Sequence, residues 1–331
     1  MMILSSNTYS KALEATYEAI GNTPTVHLSR LVKHLGLEGR ILAKLEYLNP
    51  GFSKKDRVAL GMIQHAESLG LLKPHQTVVE LTSGNTGTGL AIVCGLKGYP
   101  FVAVMSEGNT PERAAMMKAL GAEVVLVKQA PGSTRGKVSG EDLALVEEAT
   151  RAIVKYRGAF RADQFSLEGN VLAHYHGTAK ELLFQSENAG YSLDAFCDFV
   201  GSGGTFAGCM KYFKEVSQAI QCYVIEPEHT AVLAGKEIQT LGHKIQGGGY
   251  AMPHLHYLQD IVPDGYLQVT DDEATTSARL LARYEGIFGG FSAGANLAGA
   301  IKLLQGTMKG KTVAMLVCDS GLKYLSTDLW A

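Results

Sequence analysis

Thr77-Val78-Val79-Glu80-Leu81-Thr82-Ser83-Gly84-Asn85-Thr86-Gly87 reads as a buried strand that runs into a hydroxyl-rich turn and the start of a helix. A short apolar run followed at once by small polar residues is the first half of a strand–helix unit. The helix is expected from about Gly87 to a stop at Gly98, and Phe101-Val102-Ala103-Val104-Met105 is the next strand. Thr110 then stands as a cap, with Pro111 at the first helical position and Gly121 past the end. Glu123-Val124-Val125-Leu126-Val127 follows as a further strand, and the alternation returns with Ala195 to Val200, Gln221 to Glu226 and Thr312 to Val317. Short apolar strands separated by helices predict an α/β protein whose parallel, twisted sheets are covered on both faces.

Length and composition agree. The chain has 331 residues, 46% hydrophobic and 19% charged, enough for a large core and for two domains. A formal net charge of -2 gives no basic stripe for nucleic acid. Five cysteines, Cys94, Cys197, Cys209, Cys222 and Cys318, with no Cys-x-x-Cys pair, argue against a zinc site or a disulfide framework, and no metal is expected. Met1-Met2-Ile3-Leu4 is too short an apolar stretch for a signal peptide, and no run reaches the length of a membrane span. A cytoplasmic protein is the expectation. Lys128 to Ser139, with Pro131, Gly132 and Gly136, reads as a mobile surface loop on which Arg135 and Lys137 are solvated.

Four segments carry chemistry. Asn49-Pro50-Gly51-Phe52-Ser53-Lys54-Lys55-Asp56-Arg57 places a lysine one turn into a helix that opens after a Pro-Gly loop. That setting suits an amine that must lose a proton and form an imine with an aldehyde cofactor. Gly201-Ser202-Gly203-Gly204-Thr205 follows a strand and opens a helix, so free amides and close backbone approach make it a phosphate cradle. It lacks the Gly-Lys-Ser/Thr of a P-loop and stands too late for a dinucleotide fingerprint, so a small monophosphate suits it better. Thr82 to Gly87 gathers two hydroxyls, an amide and free backbone N–H groups at a strand end, which is a pocket for a carboxylate. Val317-Cys318-Asp319-Ser320-Gly321 is a strand end and turn that says little alone. Gly289-Gly290-Phe291-Ser292-Ala293-Gly294 either packs beneath a ligand or simply starts a helix, and Gly247-Gly248-Gly249-Tyr250 reads as a loop.

Taken in order, the Pro-Gly-x-Ser-x-Lys-Asp-Arg, Thr-Ser-Gly-Asn-Thr-Gly, Gly-x-Gly-Gly-Thr and late Asp-Ser-Gly motifs resemble the fold-type II pyridoxal-phosphate enzymes of the cysteine synthase and cystathionine β-synthase group. The resemblance runs from Ile20-Gly21-Asn22-Thr23-Pro24 to Tyr324-Leu325-Ser326-Thr327. It implies the two-domain fold of the tryptophan synthase β-subunit type. A smaller mobile domain would span 48–158 and carry Lys55 and the Asn85 turn. A larger one would combine 1–47 with 159–331 and carry the phosphate loop and Ser320. Lys55 then resembles the Schiff-base lysine and sole catalytic residue, with Lys54 its solvated neighbour. Asn85 is similar to the asparagine that meets the cofactor's 3'-oxygen. Gly201, Ser202, Gly203, Gly204 and Thr205 resemble the 5'-phosphate cradle, and Ser320 resembles the residue facing the pyridine nitrogen. Thr82, Ser83, Thr86 and Gln164 look like the substrate-carboxylate cleft, with Gly247 and Tyr250 on the substrate loop.

The resemblance implies an enzyme that performs pyridoxal-phosphate-dependent β-replacement on a β-substituted L-amino acid through an aminoacrylate, in sulfur amino-acid metabolism, as a homodimer. Its partners would be that amino acid and a small nucleophile. Cysteine desulfhydrase or β-lyase activity, and serine or threonine deamination, are the alternatives. A non-catalytic binding protein on the same fold and a nicotinamide-dependent oxidoreductase are further readings. His174-Tyr175-His176-Gly177-Thr178 stands where cysteine synthases usually read Thr-Thr-Gly-Pro-Glu. The spacing of the two histidines on a predicted helix lets at most one reach the site.

Overall fold

The computed structural model describes residues 12–131, 133, 140–240 and 242–331. Most of the loop expected over Lys128 to Ser139, including Arg135 and Lys137, lies outside the described residues, as does Met1 to Leu4.

Two sheets organise the chain. The larger has six strands in the order β1 (Thr25–His27), β2 (Arg40–Lys44), β10 (Thr312–Leu316), β7 (Ala195–Phe199), β8 (Gln221–Pro227), β9 (Gly265–Val269). Only the β1–β2 pair is antiparallel. The smaller is wholly parallel, in the order β5 (Glu123–Val127), β4 (Phe101–Ser106), β3 (Val78–Leu81), β6 (Phe160–Arg161). Residues 160 and 161 thus complete the smaller sheet from beyond position 158.

The central strands form where expected because they are apolar runs buried on both faces, while β5 at the edge of the small sheet is at most half-buried. All six residues of β4 and all five of β7 and β10 are buried. The helix after β3 spans Asn85–Lys97 and closes on Gly98 at φ +81°, a left-handed position open to glycine. Pro111 opens Pro111–Ala119. The helix of the lysine pair spans Lys55–Ser68, so Lys55 is its first residue, not a residue one turn inside it.

One apolar cluster packs Phe291–Gln305 and Asp271–Glu285 on one face of the large sheet; another packs Phe206, Met210 and Phe213 on the opposite face. A third joins Lys55–Ser68 and Asn85–Lys97 to the small sheet. Burying such clusters supplies the main drive to fold. Between the layers, Arg57 donates to Glu46 at 2.7 and 2.9 Å and to both oxygens of Glu181 at 2.7 Å. That buried pairing fixes the first turn of the lysine helix to the region just beyond β2. Among the described residues no helix is long and apolar enough to cross a membrane, and no cluster could hold a metal ion.

Candidate active site

The carboxyl ends of β3, β7 and β10 converge on a cavity that opens to solvent. Ligands of open parallel sheets bind at this strand end. The segment before Lys55 is sewn to the exit of β10: Lys54 N donates to Cys318 O at 2.8 Å, and Ser320 N donates to Phe52 O at 3.1 Å. Ser53 bridges Asp319 in the same way.

Lys55 and Lys54 both line the cavity, with different partners. Lys55 Nζ donates to the neutral amide oxygen of Gln164 at 3.0 Å. Burial, then the nearby charge of Lys54, brings its ammonium down to about 8. Lys54 is not solvated. It is buried, and its Nζ donates to both oxygens of Asp198 at 3.0 Å. Burial opposes its charge, but the Asp198 carboxylate overrides this and holds it well above the ordinary lysine value. The sequence setting favoured Lys55 as the reactive amine but gave no sign of Asp198, which lies on β7.

The turn after β3 places Ser83, Asn85 and Thr86 on the cavity wall. Thr86 Oγ1 donates to Gln164 Oε1 at 2.8 Å. Thr82 is not on the wall. Its hydroxyl oxygen accepts from Gly84 N and Gly87 N at 3.0 Å and so shapes the turn from behind. Asn85 Nδ2 donates to Asp319 Oδ2 at 2.8 Å and its Oδ1 accepts from Lys323 Nζ at 2.7 Å.

Across the cavity, Gly201, Ser202, Gly203 and Thr205 line the wall, and Gly204 begins the helix Gly204–Val216. The amides of Gly201 to Thr205 donate to no acceptor among the described residues. They stand at the positive end of a thirteen-residue helix. A Cβ at Gly201 would lie 2.6 Å from Gly247 O, and one at Gly204 would overlap Asn170, so the loop admits no side chain at either place. His174 supports it from beneath. The stretch His174–Ala179 is π-helical, and His174 is fully buried, with Nε2 3.1 Å from Thr205 Oγ1 and Nδ1 2.9 Å from Thr178 Oγ1. Burial, then Lys54, Arg57 and Lys55, hold this imidazole far below its usual value, so it is neutral. His176 is exposed.

Gln246, Gly247 and Tyr250 close the mouth. Tyr250 meets Phe165 edge-on with centroids 6.1 Å apart. Ser320 is not among the lining residues; its hydroxyl oxygen accepts from Leu322 N at 3.2 Å and caps its own turn. Ser292 and Cys318 hold the wall at that side instead. The glycine run before Ser292 was the available signal.

A glycine loop with free amides, a lysine with no carboxylate partner and a hydroxyl-rich turn thus meet in one cavity. Residues 16–319 match the family described as "Pyridoxal-phosphate dependent enzyme". The chain belongs to that family.

The chain is 40% identical over 322 residues to a cysteine synthase of Staphylococcus aureus (strain N315), covering 97% of this chain and 98% of that one. The solved structure of O-acetyl serine sulfhydrylase isoform 3 from Entamoeba histolytica superposes with a TM-score of 0.87 at 32% identity, over 99% of this chain and 95% of that one. A hydrogen sulfide-producing enzyme from Fusobacterium nucleatum gives 0.84 at 34% identity, over 95% of this chain and all of that one. The cofactor of this enzyme is therefore pyridoxal 5'-phosphate, and the residues present fit it. The free amides of Gly201 to Thr205 suit a phosphate dianion, and Lys55 is the one cavity lysine with no carboxylate partner.

Proposed function

We propose that the protein catalyses β-replacement on an O-activated serine, such as O-acetylserine or O-phosphoserine, with sulfide or a small thiol as the incoming group. The observation that carries this reading is the placement of Lys55 between two anion sites. The glycine loop with its free amides lies on one side, and the Ser83–Thr86 turn on the other.

Each residue then has a task. The amides of Gly201 to Thr205 would hold the cofactor phosphate, with His174 behind Thr205 keeping the loop in place. Lys55 would fasten the cofactor's aldehyde and, once released, take the proton from the substrate's α-carbon at Nζ. An amine with a value near 8 is close to optimal for that transfer near neutral pH. Ser83 and Thr86 would grip the substrate carboxylate at a helix start, and Gln164 would orient both Lys55 and Thr86 through the same amide oxygen. When bound, pyridoxal phosphate supplies the electron sink for the pair left at the α-carbon. The Ser292 hydroxyl, rather than that of Ser320, supports the reading of a neutral partner for the ring nitrogen. Gln246, Gly247 and Tyr250 would exclude water from the reacting carbon.

Borohydride reduction of the loaded protein followed by peptide mapping should mark Lys55 alone. Incubation with O-acetylserine and sulfide should yield cysteine. Rapid sulfide and pyruvate release from cysteine alone would instead make the enzyme a β-lyase; the similar Fusobacterium protein is a hydrogen sulfide-producing enzyme. A cytoplasmic homodimer belongs to the same reading; sedimentation at micromolar concentration should give twice the chain mass.

A further inference from the structure

Two lysines enter one buried cavity, and only one carries a counter-charge. Lys54 and Lys55 are consecutive, both line the wall, and each reaches a different polar group. Among the described residues Asp198 is the one carboxylate bonded to either amine. Asp198 is itself buried at 1% exposure and is further held by Asn296 Nδ2 at 3.3 Å. The same amide of Asn296 donates to Leu316 O at 2.9 Å and to Cys318 Sγ at 3.4 Å, while its Oδ1 accepts from Phe199 N. The acceptor is thus held in place against β7 and β10.

We propose that Lys54 is a positioning residue of the reaction: a permanently charged second lysine, pinned by Asp198, that selects the neutral, nucleophilic form of the Lys55 amine. The inference rests on Lys55 being the residue that binds the cofactor. Its physics is like-charge exclusion on top of burial: burial disfavours the Lys55 ammonium most, the Lys54 charge adds to it, and the Asp198 carboxylate pulls less strongly the other way. Two ammonium groups in one desolvated cavity with a single carboxylate cannot both stay charged, and the one without the carboxylate gives up its proton. The other titratable groups around Lys55 do not reverse this. Glu80 lies under the Asn85 turn, and its carboxyl is pushed up to about 8 by burial, against the pull of Arg161. The Cys318 thiol is pushed up to about 11, chiefly by burial, and is neutral. His174 is neutral and buried. Gln164, the direct partner, has no charge.

This assignment also gives the buried pair a purpose beyond stability. An ion pair inside a protein contributes little net stability against an apolar alternative. Lys54 and Asp198 line the cavity next to the one amine whose protonation state matters.

Trace labelling of the full-length protein tests the proposal. The cofactor is first removed with hydroxylamine, and lysines are then acetylated with limiting acetic anhydride at a series of pH values. Peptide mass spectrometry reads each lysine separately. In the unaltered protein Lys55 should half-titrate near pH 8, and Lys54 should stay unreactive well above that. In Lys54→Gln the Lys55 midpoint should rise by about one pH unit or more, and Lys54→Arg should return it to the unaltered position. In Asp198→Asn, Lys54 should become reactive. Lys54 labelling before Lys55 in the unaltered protein overturns the proposal even if no variant folds, as does an unmoved Lys55 midpoint in Lys54→Gln. Borohydride marking of a residue other than Lys55 would instead remove the functional reading. The two failures are therefore distinguishable.

Discussion

Arg113 Nη2 donates to Gln246 Oε1 at 2.8 Å, while Nη1 of the same guanidinium donates to the Ser83 carbonyl at 2.7 Å. One side chain thereby joins the carboxylate turn of the small sheet to the loop that closes the cavity from the large sheet. Arg113 is buried and also lies over the Tyr324 ring, 5.4 Å from its centroid.

Loss of that bridge should weaken closure over the substrate. Arg113→Ala is expected to raise the KM for the amino-acid donor about tenfold or more, since charge-assisted hydrogen bonds contribute about 1.5–3 kcal/mol. Gln246→Ala should act in the same direction, and the double variant should add little to either. Steady-state kinetics on the three proteins checks this. Fully additive effects would mean that the two residues act separately.

The glycine loop proposed to hold the phosphate tolerates no Cβ at its helix start, where Gly204 abuts Asn170. Asn170 in turn donates to Ser202 Oγ at 3.1 Å and to Gln164 O at 2.7 Å. Gly204→Ala should therefore displace the loop and cost about 1–3 kcal/mol. Equilibrium dialysis should show pyridoxal phosphate retained roughly five- to hundredfold more weakly, by the 1.4 kcal/mol-per-decade conversion.

Ser292 and Ser320 make opposite predictions. Ser292 lines the cavity, so Ser292→Ala should alter the visible absorbance of the bound cofactor. Ser320 caps a turn, so Ser320→Ala should leave the spectrum unchanged and cost about 1 kcal/mol of stability. Spectra and thermal melts of both variants decide the matter.

Glu80 imposes a pH dependence on stability. Burial raises its carboxyl to about 8, above the unfolded value of about 4.3. The folded chain then holds the proton more tightly than the unfolded chain. Its contribution is complete below the unfolded value and is lost as pH rises toward about 8. Glu80→Gln removes this loss. Its melting temperature relative to the unaltered protein should climb steadily between pH 5 and pH 8. A constant difference across that range would show that Glu80 is ionised in the fold, paired with Arg161.

What the sequence disclosed was local. The segments of Lys55, the Asn85 turn and the glycine loop are each contiguous, and each can be read from residue types that neighbour one another along the chain. The strands were legible for the same reason, because buried parallel strands are unbroken apolar runs. The remaining features depend on partners far apart in the chain. Lys54 meets Asp198 across 144 positions, and Arg113 meets Gln246 across 133. No local pattern marks a lysine as paired, so Lys54 read as solvated. Ser292 and Ser320 both follow glycine-rich or turn-like stretches, and only the packing of Phe291–Gln305 against the strand ends shows which hydroxyl faces inward. The helix around His174 kept its place but widened to a π turn, which swings one imidazole beneath Thr205.

The stitches between Phe52, Lys54 and the exit of β10 have a mechanical meaning. On the proposed function they fasten Lys55 to the same wall as the Gly201–Thr205 loop that would hold the cofactor phosphate, while the hydroxyls of Ser83 and Thr86 belong to the opposite wall. A substrate joined to one wall and grasped by the other becomes a strut across the gap. Its departure as product would remove the strut, so release of the finished molecule and loosening of the two layers would be one event.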